Sequence, residues 1–249
     1  MSERKNTMKI EICIPAFNEE RIISESVNAV ARIFREAGRE ALITVSDNAS
    51  TDRTASIARS IKGVSVLSTS IQGKGAAVVA VARRSSADFF GFIDADLSVD
   101  PTEIISFLSL LERDSCDIVI GSRLIDKTIV DRGMLRTFLS KMFNALRKII
   151  VGVKAEDTQC GLKLMNARGR EVLAECLEKG WFFDMEFLVR AERAGMRIQE
   201  VPIHWREHRF IGRDSKLNLF RDCIGAFHAM FRIRRRVMQE KRLSALKEV

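Results

Sequence analysis

Two carboxylates follow a short apolar run near the middle of the chain: residues 89–93 read Phe-Phe-Gly-Phe-Ile, and Asp94 and Asp96 come next. A run of this kind is typical of a buried strand in a parallel sheet, and alternation along an extended chain predicts both carboxylates on one side. Two oxygen ligands at this spacing suit Mg²⁺ or Mn²⁺ bound together with phosphate oxygens. The alternative interpretation is a solvated pair of aspartates at the turn into the next helix.

Acidic side chains also follow two earlier predicted strands. Glu19 comes after the strand predicted at residues 10–14, and Asp47 comes after the one at 41–46. Ligands bind at the carboxyl edge of open parallel sheets, where a carboxylate can accept hydrogen bonds from a ribose or a base. The sequence therefore predicts a nucleotide-binding edge, with a helix N-cap as the alternative role of Asp47.

Strands and helices alternate over the first half of the chain. Apolar patterns and turn residues predict helices between strands at 10–14, 41–46, 64–67, 89–93 and 117–121. This alternation indicates a parallel α/β sheet. A chain of 249 residues is long enough for one large domain with a C-terminal extension.

Two familiar phosphate-binding loops are absent from the sequence. The loop after the first predicted strand has no Gly-x-Gly-x-x-Gly pattern, which argues against a dinucleotide cofactor. Gly73-Lys74-Gly75 lacks the spacing and the Ser or Thr of a Walker loop, which argues against an ATPase. The remaining interpretation is a site for a nucleotide whose diphosphate is held by a metal ion.

Positive charge is concentrated at one end of the chain. The formal net charge is +8, and residues 190–249 hold 15 Lys and Arg against 7 Asp and Glu, which accounts for the whole excess. Such a distribution predicts an anionic partner, namely phosphate, nucleic acid or an acidic membrane surface. Five scattered cysteines without a Cys-x-x-Cys pair, and no apolar stretch of spanning length, predict a cytoplasmic protein without a membrane-spanning helix.

Several short motifs occur in a characteristic order: Pro15-Ala16-Phe17-Asn18-Glu19-Glu20, residues 47–52, Gly73-Lys74-Gly75, Asp94-Ala95-Asp96 and Gly121-Ser122-Arg123. Together they resemble the inverting family 2 glycosyltransferases with the GT-A fold. Residues 157–163 and 181–186 are similar to the polyprenyl-phosphate branch, which contains dolichyl-phosphate mannose synthases and glucosyltransferases. The resemblance implies a Rossmann-like, mostly parallel sheet with helices on both faces. It divides the chain into a catalytic domain at 1–216 and an amphipathic, basic C-terminal helix at 217–249.

The resemblance also implies a reaction. It is the inverting, metal-dependent transfer of mannose or glucose from a nucleotide diphosphate sugar, UDP-glucose or GDP-mannose, to a polyprenyl (dolichyl) phosphate. The enzyme would use Mg²⁺ or Mn²⁺, bind no nucleic acid, and work peripherally on the cytoplasmic face of a membrane. The alternatives are a family 2 enzyme that acts on a glycan or small-molecule hydroxyl, and an inactive nucleotide-binding protein.

Roles follow from the resemblance residue by residue. It implies catalytic roles for Asp94, Asp96, Arg123 and Asp157, with Asp94 and Asp96 at the metal. It implies substrate-binding roles for Pro15, Phe17, Glu19, Asp47, Lys74, Ala95, Arg136, Arg209, Arg213 and Lys216. Within this set Asp47 would contact the base and Glu19 the ribose. Lys216, with either Arg209 or Arg213, would contact phosphates, whereas a solvated helix face is the alternative for Arg136.

Three departures from the family pattern bear on these roles. Phe17 replaces the usual Tyr, Asn48-Ala49 replaces Asp-Gly, and Ser98 stands where mannose synthases often carry a metal-binding Gln. The first removes a hydroxyl near the base, and the second removes an acid beside Asp47. The third leaves the metal without its expected third protein ligand.

The chemistry of the acceptor decides whether the enzyme needs a base. A phosphate monoester is already anionic at pH 7, because its second pKa is about 6, and therefore needs cations to position it. A hydroxyl acceptor needs a general base, and Asp157 or Asp184 could serve. A turn or cap residue is the alternative interpretation of Asp157.

An apolar helical face precedes a basic cluster near the C-terminus. The apolar side chains recur at spacings of three and four residues, and the cluster follows them: Leu217, Phe220, Ile224, Phe227 and Phe231, then Arg232, Arg234, Arg235 and Arg236. This pattern predicts a helix that lies on an anionic membrane. The alternative is a helix packed on the core or on a second subunit, followed by a solvated basic tail.

Overall fold

The computed structural model describes residues 8–125, 147–206 and 219–247, and within the last range it describes the side chains of 225–240. The strands in these ranges are β1 (Ile10–Ala16), β2 (Leu42–Asn48), β3 (Val64–Thr69), β4 (Phe89–Ile93), β5 (Ile118–Ser122), β6 (Leu162–Asn166) and β7 (Ile198–Pro202). The helices are α1 (Ile23–Glu36), α2 (Thr54–Ser60), α3 (Lys74–Arg84), α4 (Glu103–Glu112), α5 (Ala167–Ala174), α6 (Phe183–Arg193) and α7 (Leu219–Lys247).

The described strands form a single mixed sheet in the order β3-β2-β1-β4-β6-β5-β7. Neighbouring strands are parallel except at β6, which runs antiparallel to both β4 and β5. The chain leaves β1 toward β2 and β3 on one side and returns to β4 on the other. The crevice at such a reversal is where open α/β sheets bind ligands. The expected Rossmann-like, mostly parallel sheet is confirmed.

Helices cover both faces of this sheet, as expected. One buried cluster contains apolar residues of α1, α2 and α4, among them Val27, Ala58 and Phe107. The opposite cluster contains residues of α3, α5, α6 and α7, including Val78 and Phe187. Alternation along β1 and β4 supplies both clusters because successive side chains of a strand point to opposite faces.

The strand that carries the two carboxylates is buried over its whole length. All five residues of β4 are buried, which explains its continuous apolar run. Gly91 lies at its centre, where an added Cβ would come within 2.7 Å of Leu164 Cγ on β6. Only glycine therefore lets β6 pack this closely on β4 without a shift.

The C-terminal helix packs on the core through a different set of side chains from the one expected. Its buried residues include Ala226, Met230, Ile233 and Val237, whereas Phe227 and Phe231 are 46% and 49% exposed. Met230, Ile233 and Val237 share the buried cluster of α6. The side chains of Leu217, Phe220 and Ile224 lie outside the described residues. The boundary at residue 216 stays a prediction, and none of the described helices is long and apolar enough to cross a membrane.

Candidate active site

The acidic residues that follow the strands lie at one edge of the sheet, as the sequence predicts. In the sheet, β1 lies between β2 and β4, and all three strands are parallel. Their carboxyl ends carry Glu19, Asp47 and Asp94 respectively. Ala16 is the direct neighbour of Asp47 across the β1–β2 pair. The residues expected at the nucleoside and at the metal therefore border the same crevice.

The loops after β1 and β2 are joined into one unit by hydrogen bonds. Asn18 N donates to Ser50 Oγ at 3.0 Å, and Thr51 N donates to Asn18 Oδ1 at 2.8 Å. Glu19 N donates to Thr54 Oγ1 at 2.8 Å, and the Glu19 side chain is buried. These contacts hold the backbone of the first loop against the second, so the predicted ribose and base contacts are positioned together.

Asp47 is a buried residue near the end of β2 and not a helix cap. It is 5% exposed, and its Oδ1 accepts a hydrogen bond from Ser50 N at 3.3 Å. Helix α2 begins only at Thr54, and its N-cap position is Arg53, whose side chain makes no capping bond. The N-cap interpretation of Asp47 is therefore wrong. Ala49 adopts a positive φ of 57° in the same turn, a conformation that suits the glycine expected there better than alanine.

A tight turn presents Asp94 and Asp96 at the end of β4. Leu97 N donates to Asp94 O at 3.0 Å, and Leu97 adopts a positive φ of 47°. Ser98 N donates to Asp96 Oδ1 at 3.1 Å. Ala95 and Leu97 are buried while both carboxylates stay partly exposed. A non-glycine residue in this backbone region is uncommon, and such outliers cluster at functional sites.

Asp94 is held by its neighbours. Its Oδ1 lies 2.7 Å from Lys74 Nζ, and its backbone N donates to Gly161 O at 3.1 Å. An added Cβ on Gly161 would come within 2.8 Å of Asp94 Cγ and closer still to Oδ2. Burial raises the pKa of Asp94 above its ordinary value, although the Lys74 ammonium opposes this shift. The interpretation of Asp94 as a freely solvated aspartate is wrong.

Behind Asp94 lies a buried row of alternating charges that sequence reasoning missed. Lys74 Nζ is 3.9 Å from Asp184 Oδ2, and Lys163 Nζ is 2.5 Å from Asp184 Oδ1. Lys163 also donates to Cys160 O at 2.8 Å. Asp184 and Lys163 are almost fully buried. We name Lys74, Lys163, Asp94 and Asp184 the charge row; its two ammonium groups each have carboxylate partners, as buried charges require.

Aromatic rings surround the ammonium group of Lys74. Its Nζ lies 5.7 Å from the ring centroid of Phe92, 5.6 Å from that of Trp181 and 5.8 Å from that of Phe183. The Lys74 side chain is only 8% exposed, and Asp94 raises its pKa despite the opposing effect of burial. Lys74 therefore belongs to the candidate site through its direct contact with Asp94, although it is not part of a Walker loop.

Arg123 and Asp157 form a two-bond ion pair beside the two aspartates. Arg123 Nε and Nη2 donate to Asp157 Oδ2 and Oδ1, both at 2.8 Å, and Arg123 N donates to Oδ2 at 3.0 Å. Burial alone would raise the pKa of Asp157, but these bonds outweigh burial and hold that pKa below its ordinary value. The Arg123 guanidinium also lies 6.0 Å from the ring centroid of Trp205. Asp157 is thus a partner of Arg123 and not merely a turn residue.

The N-terminus of α3 is capped by backbone carbonyls. Gly75 N donates to Gly180 O at 3.2 Å, and Ala76 N donates to Lys179 O at 3.0 Å. An added Cβ on Gly75 would lie 2.5 Å from Phe183 Cβ, so the close approach requires glycine. The amide groups that a phosphate cradle would offer are already in use here, in agreement with the predicted absence of a Walker loop.

Four predicted substrate-binding residues, Arg136, Arg209, Arg213 and Lys216, lie outside the described residues. Of the remaining predicted positions, Pro15 and Phe17 lie at the end of β1, and Ala95, between the two aspartates, is buried in the core. Their roles stay predictions. Lys163 and Trp181 belong to quoted motifs, but no local pattern revealed that Lys163 shares Asp184 with Lys74 or that the Trp181 ring lies near the Lys74 ammonium.

Comparison with known proteins identifies the family. Residues 11–173 match the family described as glycosyl transferase family 2. The chain belongs to this family. This family 2 glycosyl transferase is 30% identical over 224 residues to a dolichyl-phosphate beta-glucosyltransferase of Saccharomyces cerevisiae, an alignment that covers 80% of this chain and 67% of the yeast protein. It is 28% identical over 227 residues to the glycosyltransferase AglD of Haloferax volcanii, covering 88% of this chain and 36% of AglD.

Solved structures confirm the fold. A crystal structure of glucosyl-3-phosphoglycerate synthase from Mycobacterium tuberculosis, in complex with Mn²⁺, UDP and glucosyl-3-phosphoglycerate, superposes with a TM-score of 0.64. The two chains are 24% identical, and the match covers 90% of this chain and 76% of the synthase. The family 2 glycosyl transferase therefore has the expected GT-A architecture. It spans about a third of AglD and about two thirds of the yeast relative.

Proposed function

We propose that this family 2 glycosyl transferase moves a hexose from a nucleotide diphosphate sugar to a polyprenyl phosphate of the dolichyl type, with inversion at the anomeric carbon. The yeast relative named above, a dolichyl-phosphate beta-glucosyltransferase, supports both the lipid phosphate and glucose as the sugar. UDP-glucose is accordingly the first donor to test, with GDP-mannose as the alternative.

The observation that carries the proposal is that both candidate bases, Asp157 and Asp184, are buried and already paired with basic side chains. Both oxygens of Asp157 accept hydrogen bonds from Arg123, and the side chain is only 5% exposed. Asp184 is 1% exposed and lies between two lysines. Neither carboxylate is presented to a substrate hydroxyl, so the site favours an acceptor that is already anionic. A phosphate monoester meets this requirement, because its second pKa is about 6.

The donor nucleotide fits the crevice between the first two loops and β4. Glu19 and Asp47 offer acceptors for the ribose and the base, and Phe17 offers an apolar surface near the base. Lys74 orients the Asp94 carboxylate through its 2.7 Å ion pair. Arg123 carries its positive charge at the same edge, held in one orientation by Asp157. Arg136, Arg209, Arg213 and Lys216 remain the predicted contacts for the donor and acceptor phosphates.

A divalent cation fits this donor set through Asp96. Among the residues described by the structure, no three His, Cys, Asp or Glu side chains lie close enough to hold a metal ion by themselves. Mg²⁺ and Mn²⁺ need only one or two carboxylates when phosphate oxygens complete their coordination. Asp96 would supply one carboxylate, with Asp94 beside it. When bound, the ion would offset negative charge on the departing diphosphate.

We place the reaction at the cytoplasmic face of a membrane, to which the protein binds peripherally. The outer face of α7 supports the peripheral binding to a membrane. Phe227 and Phe231 are both about half exposed, and their rings stack edge to face with centroids 5.0 Å apart. Arg234 and Arg235 follow on the same helix and are exposed. Exposed aromatic rings beside arginines suit the interface of an anionic bilayer.

Transfer of label into lipid tests the proposed function. The purified protein is incubated with Mn²⁺, a short polyprenyl phosphate and radiolabelled UDP-glucose or GDP-mannose in parallel. We expect label in the organic phase from UDP-glucose, and a loss of at least ~100-fold in Asp96→Asn. Asp114→Asn serves as the control, because Asp114 is exposed and precedes β5 at the opposite edge of the sheet. Nucleotide-sugar binding without lipid product from either donor would reject the lipid acceptor and redirect the search to hydroxyl acceptors.

A further inference from the structure

The loop between α5 and α6, residues 175–182, forms one wall of the candidate site. Its backbone carbonyls at Lys179 and Gly180 cap the first turn of α3, as described above. Trp181 is 53% exposed, and its ring lies 5.6 Å from Lys74 Nζ, which in turn contacts Asp94. A shift of this loop would therefore move both the exposed ring and the helix end that carries Lys74.

The same loop is attached to the C-terminal helix by an ion pair. Arg232 Nη2 lies 3.0 Å from both Oε1 and Oε2 of Glu178, and Arg232 Nε donates to Oε2 at 3.3 Å. Arg236 Nη1 lies 3.8 Å from Glu178 Oε2. The buried carboxylate of Glu186 on α6 accepts hydrogen bonds from Leu177 N at 3.1 Å and Glu178 N at 2.6 Å. The loop is thus fastened on one side by α6 and on the other by α7.

We propose that α7 is a positioning element of the transferase site, and that Arg232 and Glu178 are the positioning residues through which it acts. By fixing the carboxylate of Glu178, Arg232 fixes the loop that caps α3 and presents Trp181 beside Lys74 and Asp94. The inference rests on the proposed function, because it assumes that the nucleotide sugar occupies this crevice. It adds that α7 contributes to donor binding from the side of the helix that faces the protein.

The packing of α7 separates this role from a general contribution to stability. The helix is already anchored by Met230, Ile233 and Val237 in the shared core. Arg232 is 49% exposed, and ion pairs with an exposed partner contribute at most about 1 kcal/mol to folding. Loss of the ion pair should therefore loosen the loop while the helix stays in place.

The aromatic composition of the chain provides a direct probe of the loop. The sequence contains two tryptophans and no tyrosine, so Trp205→Phe leaves Trp181 as the single indole. In this background, Arg232→Gln, Glu178→Gln and the conservative Arg232→Lys are compared by acrylamide quenching and by titration with UDP-glucose and Mn²⁺. Glu240→Gln is the matched control, because Glu240 also lies on α7 but pairs with Arg190 of α6 instead of with Glu178.

We expect quenching of Trp181 to rise about twofold in both Gln variants, because the loop opens more often. The dissociation constant for UDP-glucose should rise up to about fivefold, because losing about 1 kcal/mol from the closed loop lowers the binding-competent fraction by that factor. Arg232→Lys should recover part of both changes, and Glu240→Gln should match the parent. Parental quenching and donor affinity in both Gln variants would overturn the inference. A parent that binds donor normally but makes no lipid product would count against the proposed function alone.

Discussion

Among single residues, Lys74 links the surface of the site to the core. Its ammonium group contacts Asp94, which is partly exposed, and approaches Asp184, which is buried and paired with Lys163. Taking such a group out of water is costly, and the cost is offset only when each charge keeps its partner. The orientation of Asp94 therefore depends on Lys74 and, behind it, on the buried pair of Asp184 and Lys163.

Replacement of Lys74 by methionine tests this dependence, because Met keeps most of the side-chain volume and removes the charge. We expect Lys74→Met to lose about 3 kcal/mol of unfolding free energy, the usual cost of an unpaired buried charge. Donor affinity should fall at least tenfold, because Asp94 loses its fixed orientation. Urea unfolding and calorimetric titration with UDP-glucose and Mn²⁺ measure the two effects.

The double variant Lys74→Met/Asp94→Asn provides the control for stability. It removes both partners of the outer ion pair and leaves Lys163 paired with Asp184. We expect it to recover much of the lost unfolding free energy but none of the donor affinity. Wild-type donor affinity in Lys74→Met would show that Asp94 needs no such support.

At the scale of elements, the antiparallel strand β6 brings the segment that precedes it to the edge of the sheet that carries the candidate site. Because β6 runs opposite to β4 and β5, the residues before it arrive where the parallel strands end. Asp157 thereby reaches Arg123 after β5, and Gly161 reaches Asp94 after β4. The reversed direction of β6 therefore places one segment, residues 157–161, beside both Arg123 and Asp94.

The sequence predicts the first five strands because each carries a continuous local signal. Runs of apolar residues bounded by turn formers mark β1 to β5, and the acidic exits of β1, β2 and β4 fall at one edge as expected. The position of β6 in the sheet and the ion pairs of the charge row were not predictable in this way. Lys163 interrupts the apolar pattern of β6, and Asp184 in the first turn of α6 looks like an ordinary partner of the helix dipole. Lys163 and Asp184 pair between segments that are distant in the sequence, so no local pattern indicates the contact.

Asp117, which precedes β5 at the opposite edge of the sheet, provides a stability test that leaves the candidate site untouched. Hydrogen bonds from Arg197, with a further bond from Asn166, lower the pKa of Asp117 to about 2. A depressed pKa means that the stabilisation is fully present above the unfolded value of about 3.9 and is lost as the pH falls toward 2. Because Arg197 is half exposed, solvent screening limits the contribution to about 1 kcal/mol.

Asp117→Asn should accordingly lower the unfolding free energy by about 1 kcal/mol at pH 7. The difference from wild type should shrink between pH 4 and pH 2, because the wild-type carboxylate becomes protonated over that interval. Urea unfolding at pH 7, 4 and 2.5 measures this change. A constant difference across these pH values would mean that Asp117 contributes through shape and hydrogen bonding alone.

At the scale of the whole molecule, part of the excess positive charge of the last sixty residues lies on the described side chains of α7. On α7, Arg232 and Arg236 pair with Glu178, whereas Arg234 and Arg235 are exposed on the side of the helix that carries Phe227 and Phe231. Arg234 Nη1 also donates a hydrogen bond to Ile150 O at 2.8 Å. The sequence predicts the basic excess but not this division, because only the packing of α7 decides which arginines reach Glu178. In the proposed arrangement, one face of the helix serves the site and the other meets an anionic surface.

Binding to lipid vesicles tests the outer face of α7. Each basic residue near an anionic bilayer contributes about 1 kcal/mol, so Arg234→Gln/Arg235→Gln should weaken binding to phosphatidylserine-containing vesicles about 30-fold. The difference should largely disappear at high salt, because screening removes the electrostatic attraction. Arg83→Gln/Arg84→Gln is the matched control, since it removes the same charge from two exposed positions at the end of α3. Sedimentation with vesicles measures the affinities, and equal losses in both double variants would show that net charge, and not the face of α7, attracts the protein to the membrane.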